Sequence, residues 1–473
     1  MELQDALSGR EQKLVLFILA LSSFMASLDS TIVNISLPSI AEAFKVPMSQ
    51  VSWVAMSYLL VLSGLLLAFG KLGDMKGFRK IYIAGFAVFT VGSLLCGLSF
   101  SIDALIGSRF IQGIGAAALE AIGPAMVAIY LPKEIRGKAL GILATVISVG
   151  IAAGPIIGGL LTQYASWHWI FFINVPIGIC AVLLGIKCIP RDRLPVKNGP
   201  FDYPGAIIFF FALATLLWPV DEGLTLGWTS PAILGSFAVS AILWILFVLR
   251  ETRCKDPLCD FALFHNTNFL AASLAAAAMM LAFAGVQYLL PFFFEGVMGF
   301  QTYVAGLLLA IPSVALMILG PISGTLSDKI GSRVLATGAA AFAAVTFFMI
   351  SYFTENTSIL YIAVTLLCVG IALGIFFPPN MNQILGQSKK DEEGVGSSIM
   401  TTMKNVGETL GIALMGTIAI FTVVTNEGFD PKTPVAEIPM GIIVEGFAVA
   451  FVAAAVIAVV AVILSALAKD APQ

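Results

Sequence analysis

A few ionisable side chains stand in sequence that is otherwise almost wholly apolar. Asp29 lies about 16 residues into the first apolar run, with Ser22 and Ser36 seven positions to either side, so the three share one helix face. An ionised carboxylate facing lipid is costly, so this stripe is expected to wall a polar cavity, with Asp29 exchanging a proton. The alternative is a structural carboxylate hydrogen-bonded to a neighbouring helix. Arg109 and Gln112 are i,i+3 neighbours at a depth that allows Arg109 to pair with Asp29. A buried Arg without a partner is expensive, so a pair is expected, as a proton relay or as a fixed strut between helices. Glu120 follows Arg109 by eleven positions, a rotation of about 1100° that brings it within ~20° of the same face. Arg109, Gln112 and Glu120 are thus expected to line one cavity over roughly 16 Å. There Glu120 would hold a cationic ligand or a second proton, or else point into a watery vestibule. Glu408 lies four residues after Lys404, so a local ion pair competes with a ligand role. Glu295, Glu427 and Glu445 fall near the outer span boundary, and Asp221 and Glu222 in the outer loop between the seventh and eighth spans, so all five are expected to be solvated or interfacial. Phe24, Trp53, Tyr58, Phe283, Gln287 and Tyr288 offer an apolar lining, although aromatics in such helices ordinarily pack or meet lipid.

The elements that position these residues follow from composition. Of 473 residues, 59% are hydrophobic and 11% charged, with mean hydropathy +0.98. Soluble chains carry about 25% charged residues. The solvent must therefore be mostly lipid, which excludes a cytosolic enzyme, a nucleic-acid binder and a secreted disulfide scaffold. A net charge of −3 argues against polyanion binding. Cys96, Cys180 and Cys368 read as small core residues. Cys254, Cys259 and His265 are too incomplete a set for structural zinc. Neither His168 nor His265 suggests a nucleophile–base pair, and no Gly-rich loop with Lys points to ATP, so neither a cofactor nor a metal is expected. The first apolar run has no small-residue cleavage site and reads as a retained membrane helix.

Fourteen stretches reach the roughly 20 apolar residues that a spanning helix needs: 14–38, 51–71, 81–99, 104–131, 138–162, 169–188, 203–220, 231–250, 269–294, 303–326, 334–353, 359–385, 396–425 and 441–467. With the N-terminus in the cytoplasm, all of the 25 Lys and Arg residues fall on the cytoplasmic side except Lys45, Lys432 and the intramembrane Arg109. Both termini are therefore expected to be cytoplasmic, in the plasma (inner) membrane of a prokaryote.

The chain also repeats itself. Gly70-Lys-Leu-Gly73-Asp74-Met-Lys-Gly77-Phe-Arg79 aligns without gaps to Gly324-Thr-Leu-Ser-Asp328-Lys-Ile-Gly331-Ser-Arg333, each following an apolar helix. The second span thus matches the tenth. This divides the chain into a six-helix bundle at 1–190, an inserted helix pair at 191–265 and a second six-helix bundle at 266–473. Parallel repeats with a binding site at their interface are a transporter plan.

Motifs in order sharpen that reading: Leu28-Asp29-Ser30-Thr31-Ile32-Val33-Asn34-Ile35-Ser36-Leu37-Pro38, Gly70 to Lys80, Arg109-Phe-Ile-Gln112-Gly-Ile-Gly115, Gly150-Ile-Ala-Ala-Gly154-Pro155-Ile-Ile-Gly158-Gly159, and Trp167-His-Trp-Ile-Phe-Phe-Ile-Asn174-Val-Pro176. Over nearly its whole length the chain resembles the fourteen-helix drug:proton antiporters of the major facilitator superfamily. The resemblance implies an all-α polytopic fold and alternating-access export of lipophilic compounds, cationic ones included, driven by proton entry. It implicates Arg109 in proton exchange. Gly70, Gly73, Asp74, Gly77 and Arg79 become a latch for the outward-facing state, and Gly150, Gly154, Pro155, Gly158 and Gly159 an antiporter motif. Glu120 lies outside the general family pattern, and Ser22, Asn34, Gln112, Glu120, Gln287 and Glu408 are the candidate substrate contacts. The implied partners are small lipophilic substrates, protons and the bilayer, with no nucleic acid and a monomer as the working unit. The rival readings are a nutrient or metabolite transporter of the same fold, which the glycine-rich fifth span disfavours, and a membrane sensor, for which no soluble domain is seen.

Overall fold

The computed structural model describes residues 9–190, 201–254, 257–259, 261–387, 393–427, 430, 433 and 438–470. Lipid offers backbone groups no hydrogen bonds, so a segment this apolar must satisfy them within itself, and the described residues hold helices and no strand. Among the described residues fourteen helices are long and apolar enough to cross a membrane: α1 (Gly9–Phe44), α2 (Met48–Lys76), α3 (Phe78–Gly97), α4 (Ile102–Tyr130), α5 (Ile135–Tyr164), α6 (Trp169–Cys188), α7 (Tyr203–Leu226), α8 (Pro231–Glu251), α9 (Thr267–Val297), α10 (Thr302–Ser327), α11 (Ser332–Ile350), α12 (Ile359–Gly386), α13 (Ile399–Thr425) and α14 (Met440–Leu467). Each overlaps one span read from the sequence. Several run past the apolar stretch, because helical bonding continues into polar flanks.

Helix pairings recur eight helices later. α1 packs on α5 as α9 does on α13, α2 on α4 as α10 on α12, and α3 on α6 as α11 on α14. The bundles meet through α5 against α10 and α2 against α13, and α7 lies along both members of the second pair. The repeat also holds in the backbone: Gly77 and Gly331, seven residues into the matching segments, have φ/ψ of 94°/136° and 92°/138°. That left-handed region favours glycine. Arg79 donates from Nε to the Ile189 carbonyl (2.8 Å) at the end of α6, and Arg333 from Nε to the Ala466 carbonyl (2.7 Å) at the end of α14.

One end of the molecule carries the turns at 77 and 331 and the lysine- and arginine-rich loops; it is called the basic end, and the opposite one the far end. Lys255, Lys389, Lys390 and Lys432, used to orient the chain, lie outside the described residues, as do Arg191, Arg193 and Lys197.

The seventh span corrects the sequence reading. It does not end at 220: α7 continues through Pro219 to Leu226. Proline cannot donate to the carbonyl four residues back. That carbonyl, of Thr215, accepts the Ser236 hydroxyl of α8 instead, at 2.9 Å. At the basic end, Asp202 caps α7 through the Gly205 amide (3.1 Å) and pairs with Arg250 of α8 (2.9 Å). Burial pushes the Asp202 carboxyl up, but these two partners outweigh it and hold the group below its usual value. Cys180 is another correction: it is exposed rather than core, because an apolar helix can turn its outer face to lipid.

Candidate functional site

Asp29 is fully buried. Its Oδ2 accepts from Arg109 Nη1 at 2.7 Å, and its Oδ1 from Gln112 Nε2 at 2.8 Å and Asn174 Nδ2 at 2.9 Å. Arg109 donates from Nε to the Val54 carbonyl (2.9 Å), and its guanidinium lies 4.1 Å from the Tyr58 ring centre. Gln112 also donates to Ser93 Oγ at 2.9 Å. Five helices of the first bundle, α1, α2, α3, α4 and α6, thus converge on one carboxylate. Close approach makes this possible. A side chain at Gly92 would strike the Gln112 backbone at 2.6 Å, and one at Gly113 the Tyr58 carbonyl at 2.9 Å.

The expected cavity wall is therefore not a wall. Ser22 bonds the Tyr82 hydroxyl of α3 and Ser36 the Thr162 hydroxyl of α5 (2.7 Å), so the stripe faces the packed interior of the bundle. Gln112, expected among the substrate contacts, is 0% exposed and committed to Asp29. Period alone places residues on a face; the neighbours decide whether that face meets space or protein.

Glu120 shares the face of Arg109 but not its surroundings. It is partly exposed although it lies ten residues inside α4 from the basic end. Lys404 and Asn405 of α13 are its electrostatic neighbours, and Glu408 interacts with both Glu120 and Lys404. Lys404 and Glu408 are also partly exposed. The local ion pair expected between them is not closed among the described residues; the Lys404 ammonium instead lies 5.2 Å over the Phe377 ring of α12. Asn405 Nδ2 is buried and approaches the Glu120 carboxyl without closing a well-formed hydrogen bond. Charged groups of both bundles thus face one another with unused bonding capacity. Tyr58 connects the two clusters, since it stacks on Arg109 and lies within electrostatic range of Glu120 and Glu408. Asn34, Gln287, Phe24, Trp53 and Phe283 are half-buried, whereas Tyr288 is fully buried.

At the far end the bundles are joined. Gly306 of α10 lies on the Pro155 carbonyl of α5, and a side chain at Gly159 would meet the Thr302 carbonyl at 2.8 Å. Gln163 Oε1 accepts from the Thr302 amide (3.0 Å), and the Tyr288 hydroxyl donates to the Met48 carbonyl (2.9 Å). The glycine motif of α5 therefore has two faces. Gly150, Gly154 and Gly158 seat Ser27, Thr31 and Ile35 of α1, while Pro155 and Gly159 meet the other bundle.

In the 70–80 segment, a side chain at Gly73 would press on the Phe78 ring at 3.0 Å, whereas Gly70 has nothing within 4 Å. Asp74 is exposed on the last turn of α2. Arg79 binds carbonyls of its own bundle.

The acids expected to be solvated divide. Glu445 is exposed. Glu295 is half-buried and accepts from Thr302 Oγ1 at 2.9 Å. Asp221 is buried, 6% exposed, and accepts from Trp53 Nε1 (2.7 Å) and Ser52 Oγ (3.2 Å). It belongs to α7 rather than to a loop, which is why the expectation failed. The side chain of Glu427 lies outside the described residues. Sequence reasoning gave Asn174, Ser93 and Asn405 no role. A polar side chain within an apolar run was the available signal in each case, but nothing in the sequence said which helix it would meet.

Comparison with known proteins agrees with this architecture. The family model described as Major Facilitator Superfamily matches residues 19–412. The chain is 34% identical to the riboflavin transporter RibZ of Clostridioides difficile, over 90% of this chain and 92% of that one. It is 31% identical to the multidrug resistance protein Stp of Mycobacterium tuberculosis (87% and 76% covered). With the methylenomycin A resistance protein of Bacillus subtilis it shares 30% identity (85% and 87% covered). Among solved structures, a bacterial homologue of the human lysosomal transporter Spinster, inward-facing and unoccupied, superposes with a TM-score of 0.70 at 17% identity over 98% of each chain.

Proposed function

The chain belongs to the major facilitator superfamily of membrane transporters, and from that premise we propose that it is a proton-coupled antiporter that exports lipophilic, cationic compounds by alternating access. One observation carries the reading: Glu120 and Glu408 belong to opposite bundles, interact across the space between them, and have Lys404 as their nearby cation. Two carboxylates against one ammonium leave a negative site in a low-dielectric setting, which suits either a lipophilic cation or a proton. Competition between these ligands for the same acids couples their movements. Asp29 suits proton exchange less well in this conformation, because Arg109 and two amides already satisfy it. Its cluster holds the first bundle rigid while the bundles rock. The basic end is cytoplasmic in this reading, by the loop-charge rule, and the membrane is the plasma membrane. One chain contains both halves of the pathway, so a monomer suffices. The likeness to two resistance proteins supports export.

The likeness to RibZ favours a second reading, in which the cargo is a planar, uncharged metabolite of the riboflavin kind. Inverted membrane vesicles with an imposed pH gradient separate the two. We expect cationic dyes to accumulate in vesicles with an acidic lumen, and the accumulation to vanish when the gradient is collapsed or Glu120 becomes Gln. Riboflavin accumulation that ignores the gradient, with no dye uptake, would replace the first reading by the second.

A further inference from the structure

The inserted pair is tied to both bundles by consecutive residues near the far end of α7. Asp221 accepts from Trp53 and Ser52 of α2. The carbonyl of Val220 accepts from Thr417 Oγ1 of α13 at 2.9 Å. Helices α2 and α13 are one of the two pairs through which the bundles meet, and α7 lies along both. Beside this junction is a small pocket whose lining includes Met48, Ser49, Asp221, Tyr288, Gly416 and Thr417. Among the described residues Asp221 pairs with no cation; Glu222 and Tyr288 are the titratable groups that interact with it.

We propose that Val220 and Asp221 form a strap through which the inserted helix pair holds the far end of the transport path shut. Asp221 is the positioning residue. With two donors from α2 it seats the tip of α7 on the first bundle. Phe210, one face of α7 lower down, reaches into the space left by Gly64 and seats the middle of the helix on the same partner. The Val220 carbonyl then stands where Thr417 of the second bundle can bond it. Opening the far end separates α2 from α13. Since α7 stays with α2, the Thr417 bond is the one that must break. The strap therefore biases the closed state whatever compound is carried, and its test does not depend on the cargo.

The far-end state is read from the modification rate of a cysteine placed at Met48, which is 3% exposed and lines the pocket. The backbone bond to Tyr288 survives that change. The full chain in lipid nanodiscs, open to reagent on both faces, is treated with a polar maleimide, and the introduced thiol is followed by peptide mass spectrometry. Asp221→Ala should speed modification about tenfold, since two buried hydrogen bonds that seat the tip of α7 are lost. Trp53→Phe and Thr417→Val should each give roughly a three- to fivefold increase. The double variant Asp221→Ala/Thr417→Val should react no faster than Asp221→Ala alone, because the Thr417 bond acts through the seated tip. Wild-type rates in both Trp53→Phe and Thr417→Val would overturn the strap even if Asp221→Ala were fast or failed to fold. Full additivity in the double variant would overturn it as well.

Discussion

Asp29 and Glu120 are both carboxylates within spanning helices, and each has a cation on another helix of the protein. Asp29 is wholly enclosed, and its two oxygens accept from Arg109, Gln112 and Asn174. Glu120 keeps part of its surface open, with Lys404 as its cation and an Asn405 amide nitrogen beside it that closes no well-formed hydrogen bond. A carboxylate that already has its donors gains little from a ligand, and moving it disrupts every partner at once. A carboxylate with spare capacity between two moving bodies can exchange one partner for another. Polarity inside a membrane thus has two uses, and the degree of satisfaction separates them.

The largest expected effect tests the closed cluster. Arg109→Ala leaves Asp29 buried without its counter-charge, and breaking one side of a buried pair costs about 3–5 kcal/mol. We expect a sharp loss of monodisperse protein and of thermal stability in detergent. The double variant Asp29→Asn/Arg109→Gln should recover part of that stability, because no lone charge remains, while staying inactive in transport. A wild-type melting temperature for Arg109→Ala would show that the Asp29 cluster is no strut and would erase the contrast with Glu120.

Much of this was legible before any coordinates. Length and hydropathy located every span, because a run of apolar residues long enough to cross lipid has few other uses, and loop-forming residues punctuated them. The depth of Asp29 and Arg109 announced their pairing. What stayed hidden was the identity of opposing surfaces. Ser22, Asp29 and Ser36 share a face as their spacing says, yet that face met Tyr82, Arg109 and Thr162 rather than water. Glu120 sat within a small rotation of Arg109, and only the position of α13 distinguishes the two. Asp221 was misread because proline followed by acids resembles a loop; the Ser236 hydroxyl that rescues the broken helix bond comes from α8, more than a dozen residues onward.

The next effect in size tests the open cluster. Glu120→Gln removes one negative charge but leaves no opposite charge enclosed, so stability should change by about 1 kcal/mol or less. Affinity for a lipophilic cation should fall at least about tenfold, and that for a neutral compound of similar size should hardly move. Glu408→Gln should behave alike. Equilibrium binding of a matched pair of fluorescent compounds, one cationic and one neutral, decides this. An equal loss for both would return Glu120 to a structural role.

The smallest effect concerns Lys404, and its sign is the informative part. The ammonium lies over the Phe377 ring and near both acids, without closing an ion pair with either among the described residues. In the proposed site it is the internal counter-charge that a cationic substrate displaces electrostatically. Lys404→Met keeps the length and apolar body of the side chain and removes only the charge. Cation affinity should therefore rise, by roughly three- to tenfold for a unit charge at this range in a partly wetted site, and neutral compounds should be indifferent. The gain should depend on the acids, so Lys404→Met added to Glu120→Gln should recover a smaller factor than it does alone. Raising the salt concentration should shrink the gain if the site is wetted, and leave it intact if the site is dry. A fall in cation affinity on removing Lys404 would mean that the ammonium orders the two carboxylates rather than competing with substrate for them, and the open cluster would then resemble the one built on Asp29.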